Sequence, residues 1–220
     1  MEDKKLQETI SKLIFKKDSF EAEKLMLDYV KVNPHDADGW SKLVILETLF
    51  PIEDYERATE YLNTALTYHR DNHLFFIVKL FFIEWYLGGS NETLIKMAFE
   101  LKNRMDNEMS SMLSYILAWH YKNKDIYKFE SLLKESIQEY PKHVTNYADL
   151  GKFYLSKGEK EQGIALIKEG IENVKVIYRD SNMVYDPLDI IRFINERITG
   201  VFMTEGTYYS LENLAQISDR

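Results

Sequence analysis

The 220 residues are 45% hydrophobic and 29% charged, with nine glycines, four prolines and no cysteine. That balance favours helices over a turn-rich β fold, and it excludes disulfides, thiolate metal centres and a cysteine nucleophile. The formal net charge of −8 argues against general binding to a phosphate backbone, which needs clustered lysine and arginine, so no nucleic acid is expected.

The chain opens with the charged stretch MEDKKLQETI, which has no apolar core of the kind a secretory signal carries. The most apolar run, Leu74 to Leu87, is interrupted by Lys79 and Glu84 and is too short to span a bilayer. The expectation is a cytoplasmic protein without membrane attachment.

Helical signals then follow one another in pairs. Over 3–36, Phe20, Ala22, Leu25, Met26 and Tyr29 mark a second helix, and Asn33-Pro34 closes the unit. Over 37–73, Trp40 and Leu43 mark a first helix and Ala58, Leu62 and Ala65 a second. The turn between them, Leu49 to Glu53, holds Pro51 and is long. Over 75–109, Val78, Phe81, Phe82 and Trp85 form one apolar face and Leu94, Ala98 and Leu101 another. Gly88-Gly89 supplies the turn, with Ser90 or Asn91 as the next N-cap. Over 110–143, Leu113, Ile116 and Leu117 are followed, after a turn at Lys122 to Asp125, by Ile126, Phe129, Leu133 and Ile137. Over 144–177, the large residues Tyr147, Leu150 and Tyr154 are set against Gly151, Gly163 and Gly170 around a turn at Lys157-Gly158. Helices cross closely only where a small side chain faces a large one, which is the reason for such a pattern.

This last unit resembles a tetratricopeptide repeat: an aromatic, then Leu-Gly, then Tyr, then small residues on the second helix. The upstream units recur at about the same period of ~34 residues, with Pro34 and Pro141 at closing positions. The resemblance implies an all-α, right-handed superhelical stack of five helix-turn-helix repeats over 1–179. Phe129 stands where the family prefers alanine, so looser packing or a shifted angle is expected in that pair.

The tail, 180–220, departs from the repeat. Asp186-Pro187 is a helix start, Leu188, Ile191, Ile194 and Ile198 form one stripe, and Gly200 can end the helix. Val201-Phe202-Met203 and a short helix capped by Ser210, with Leu211, Leu214 and Ile217, follow. Repeat arrays need an end cap with one wet face, so the tail reads as capping helices. The functional rival is a tail folded back into the groove.

Chemistry-bearing motifs are sparse. His69 and His73 share helical ligand spacing, but the turn Asp71-Asn72 separates them and no third ligand is evident. Asp36-Ala37-Asp38-Gly39 lacks the length of a calcium loop and reads as a helix cap. There is no glycine-rich phosphate cradle and no nucleophile elbow. No catalytic residue, metal or cofactor is therefore expected, and the chain is read as non-enzymatic.

The resemblance also implies a concave face, lined by the first helix of each pair, that binds a peptide or another protein. The inward positions carried over are Phe76, Lys79, Ile83 and Tyr86, then Ser114, Ala118, Tyr121 and Lys122, then Lys152. Gln7 and Ser11 stand where chaperone-binding members carry Lys and Asn, so that carboxylate clamp is absent. The functional expectation is a scaffold or adaptor. The alternative is a dedicated single-partner protein, such as a toxin-neutralising immunity protein or secretion chaperone with a basic client.

Overall fold

A computed structural model describes residues 2–180, 188–200, 212–213 and 215. The fold is all-helical, with no strand among the described residues. The helices are α1 (Glu2–Phe15), α2 (Ser19–Val32), α3 (Ala37–Glu47), α4 (Tyr55–Tyr68), α5 (His73–Trp85), α6 (Glu92–Lys102), α7 (Asn107–Tyr121), α8 (Ile126–Glu139), α9 (Val144–Ser156), α10 (Lys160–Asp180) and α11 (Ile190–Ile194). A π-helical turn, Asn195–Thr199, continues α11 and ends at Gly200, whose φ of 67° is left-handed.

The breaks between helices follow from local chemistry. Short polar side chains accept hydrogen bonds from the unpaired amides of the next first turn. Asp36 caps α3, Asp54 caps α4, Asn72 caps α5, Asn91 caps α6, Asp106 caps α7 and Asp125 caps α8. Asp36 thus serves as a cap, and it also accepts a 2.8 Å hydrogen bond from the Tyr29 hydroxyl. Gly88 and Gly158 adopt positive φ in open surroundings, so their role is conformational.

The chain forms two compact units, Met1–Gly88 with Asp186–Ile190, and Gly89–Tyr185 with Ile191–Arg220. In the first, Ala22, Ala58 and Ala65 lie at the helix contacts and are fully buried. Arg57, on α4, reaches the buried Glu23 of α2 at 3.1 Å and lies 3.9 Å from Glu47 at the end of α3. Neither Glu47 carboxyl oxygen receives a hydrogen bond from an N–H or hydroxyl donor. Burial, then the neighbouring Glu23 carboxylate, push the Glu47 carboxyl up to about 8. A proton held on Glu47 would have the Glu23 carboxylate beside it as acceptor. Burial also pushes the Tyr61 hydroxyl, which donates to Glu23, up to about 12.

In the second unit, consecutive helices pack in order from α6 to α10. Glycine sets the α9–α10 crossing. A Cβ on Gly151 would lie 2.7 Å from Ile167 Cγ1 and 2.9 Å from the Gly163 carbonyl oxygen. One on Gly163 would lie 2.8 Å from the Gly151 carbonyl. The looser packing expected around Phe129 is not found. Phe129 is buried, edge-on to both Trp119 and Phe153, and α7 and α8 share as extensive an interface as α9 and α10. An aromatic ring fills the space that a second helix would otherwise occupy by moving closer.

Of the apolar stripe read in the tail, Leu188, Ile194 and Ile198 are buried but Ile191 is 42% exposed. Asp186-Pro187, Val201-Phe202-Met203, Ser210, Leu211, Leu214 and Ile217 lie outside the described residues. Ala215 packs into a cluster with Val144 and Ala148 of α9 and Ile167 and Ile171 of α10.

Candidate functional site

A cleft of about 520 Å³ in the second unit lies where the C-terminal halves of α7 and α9 meet the start of α8. Its walls are Trp119, Phe129 and Phe153, with Ile126 partly exposed beside them. Lys122, Asn123, Asp149, Lys152 and Ser156 supply its polar groups.

Asp149 organises this constellation. Its Oδ2 accepts hydrogen bonds from the Tyr115 hydroxyl at 2.9 Å and from Trp119 Nε1 at 3.3 Å. The second bond holds the indole in one orientation, and the first holds the carboxyl that receives it. Burial pushes the Asp149 carboxyl up, against the opposing pull of Lys152 and the two hydrogen bonds. The Lys152 ammonium stands 3.9 Å from Asp149 Oδ1 on the solvent side. The Lys122 ammonium sits 3.8 Å from the centroid of the Trp119 ring, a cation–π contact. Two ammonium groups thus face one carboxylate, and that carboxylate already takes two hydrogen bonds. The cleft is electropositive on a chain of net charge −8.

Only Lys122 and Lys152 of the inward positions read from the sequence line this cleft. Ser114 and Ala118 are fully buried and Phe76 nearly so, which removes them as open surface. Ser114 instead donates to Glu139 Oε2 at 2.8 Å. Tyr121 lies beside Phe99 and beneath the Lys128 ammonium, 3.9 Å from its ring centroid. In the first unit, Tyr86 is 39% exposed and stacks face to face on Tyr55 at 3.6 Å. Ile83 is half-buried, and burial lowers the Lys79 pKa.

Trp119, Phe129, Asp149 and Phe153 were not singled out for this role by the sequence reading. One signal was available: Trp119 and Phe153 are 34 residues apart, as are Lys122 and Ser156, so each pair occupies equivalent places in successive units. That the aromatics would flank an open cleft depends on Phe129 holding them apart.

Among the described residues no group of His, Asp and Glu side chains is arranged to hold a metal ion, and no helix is long and apolar enough to cross a membrane.

Fold and cleft together define a helical-repeat protein with an aromatic, positively charged depression on its second unit. No protein-family model matches the chain, and no curated relative matches it in sequence. Solved structures do share the fold. MamA from Desulfovibrio magneticus RS-1, residues 41 to the end, is 13% identical with a TM-score of 0.57, covering 81% of this chain and 97% of that one. A further MamA crystal structure is 14% identical with a TM-score of 0.55, covering 82% of this chain and 96% of that one. At this identity the likeness is one of fold.

Proposed function

We propose that this chain is a non-enzymatic interaction module, a scaffold or adaptor that grips a peptide segment of a partner protein in the cleft of its second unit. An apolar side chain enters between Trp119, Phe129 and Phe153, and an adjacent carboxylate meets Lys122 and Lys152. The observation that carries the reading is this pair of ammonium groups at the mouth of an aromatic cleft on an otherwise acidic chain. Aromatic anchoring in a desolvated slot concentrates binding energy, and complementary rim charge selects the partner and speeds encounter. The helical-repeat fold supports the same reading, since stacked helix pairs present extended surfaces to other proteins.

A displayed random-peptide library tests it. Peptides selected on the full chain should share an apolar residue next to Asp or Glu. Lys122→Glu with Lys152→Glu should weaken them at least about tenfold, or ~1.4 kcal/mol. Selection of basic peptides, or binding indifferent to the charge reversal, would overturn the assignment.

A further inference from the structure

The middle of α7 is sealed on every side. All residues from Ser110 to Ala118 are buried, although a helix in a two-layer stack ordinarily keeps one face wet. Part of the cover comes from the chain's own C-terminal segment. The π-helical turn Asn195–Thr199 packs against both α7 and α9. Ile194, Ile198 and Thr199 are each 1% exposed. The Thr145 hydroxyl of α9, at the N-terminal end of that helix, donates to the Ile198 carbonyl at 2.6 Å. The cleft containing Lys122 and Lys152 lies at the C-terminal ends of the same two helices and stays open.

The segment has the character of a docked helix. Its Arg192 and Glu196 pair with each other at 2.6 Å, and Gly200 terminates it. Its hold on α9 includes apolar burial and the Thr145 hydrogen bond. Helices held in grooves are read by apolar anchors one turn apart, as Ile194 and Ile198 are.

We infer that α7 and the N-terminal half of α9 form a helix-docking surface that residues 191–200 of the same chain occupy in the free protein. Its outside partner is an amphipathic helix with β-branched apolar residues four apart, which binds by displacing this segment. The inference does not depend on the peptide reading of the open cleft. The segment bonds to α9 at Thr145, which is not among the residues lining the cleft, and the ligands of the two surfaces differ in charge and conformation.

Native-state hydrogen exchange on the full chain is the first test. Amides 194–199 should open at least about tenfold faster than those of α7 and α9, because the segment can leave without unfolding the helices beneath. A fluorescent peptide of residues 188–200 is the second. It should bind the full chain carrying Ile198→Asp at least about tenfold more tightly than the wild type, whose site is filled. The same peptide with Ile194→Ser and Ile198→Ser should not bind. Should Ile198→Asp unfold the unit, Thr145→Val removes only the hydrogen bond and should speed exchange of 194–199 while leaving α7 and α9 unchanged. Joint exchange of the segment with α7 and α9, or equal peptide binding to wild type and variant, would overturn the proposal. Peptide binding should also survive Lys122→Glu with Lys152→Glu, so failure at the cleft and failure here are distinguishable.

Discussion

The two units bury their close helix contacts and their ionisable groups in contrasting ways. The first unit buries alanines, Ala22, Ala58 and Ala65, and sets one glycine, Gly39, close against Tyr29, whereas the α9–α10 pair of the second puts glycine on both helices of its crossing. The first buries an acid, Glu47, beside a second acid and Arg57. The second buries a base, His143, between α7, α8 and α9. There the Ser136 hydroxyl donates to the Ser111 carbonyl, and Ser111 Oγ lies 2.9 Å from the Ser136 carbonyl and 2.8 Å from His143 Nδ1. The proton count closes if Ser111 donates to the Ser136 carbonyl and neutral His143 donates from Nδ1 to Ser111. That leaves Nε2 bare, buried and without an acceptor for a second proton. Burial accordingly pushes the His143 imidazole down to about 4. The lesson is that one helix-pair design tolerates opposite buried charges, provided each stays neutral near neutrality.

The largest effect should come from breaking the glycine crossing. Gly151→Leu drives a side chain into Ile167 and the Gly163 carbonyl, and should cost at least about 3 kcal/mol. Ala58→Gly, the reverse change in the first unit, should cost only about 1 kcal/mol. Chemical denaturation of both variants compares them, and similar losses would mean the crossings do not differ.

The acid comes next. The folded Glu47 pKa of about 8 lies above its unfolded value, so the folded state holds a proton that the unfolded state releases. Stability therefore declines as pH rises from about 4.5 to 8. Glu47→Gln keeps the shape without the titration, and should gain roughly 4 kcal/mol at pH 8 while changing little at pH 4.5. Equal effects at the two pH values would refute a buried neutral acid.

His143 runs the other way. Its folded pKa lies below its unfolded value, so the unfolded state binds the extra proton. Stability should fall by about 2 kcal/mol from pH 6.5 to pH 5, and continue falling towards pH 4. Exchange of α7 to α9 amides, measured against pH, isolates this from the Glu47 trend in α2 to α4. Parallel profiles in the two units would contradict the assignment.

The smallest difference concerns caps. Asp125 accepts from the Tyr127 and Lys128 amides, while Asp18, at the start of α2, makes no such bond. Asp125→Ala should cost about 1 kcal/mol and Asp18→Ala close to nothing. Thermal melts of the two variants should separate accordingly.

Much of this was legible from residues near one another in the chain. Trp40, Ala58, Ala65, Tyr147 and Gly151 announced helix pairs with the right period, because helical spacing and small-against-large packing are written into short windows. Caps at Asp36 and Asn91, and turns at Gly88, Lys122 to Asp125 and Gly158, are equally local. Gly151 and Gly163 could be read as a close crossing because their partners lie within one repeat.

What the tertiary structure alone decided is which first-helix faces stay open. Helical periodicity places Ser114 and Ala118 on an inward face, and it has no means of knowing that residues of the distant C-terminal segment share that side of the unit. The cleft beneath Lys122 depends likewise on three aromatic rings from three helices and on Asp149 orienting one of them. Burial of Glu47 and His143 is also a property of neighbours far away in sequence. A residue's own spacing along a helix records the direction of its side chain, whereas accessibility and protonation depend on what the rest of the chain brings to meet it.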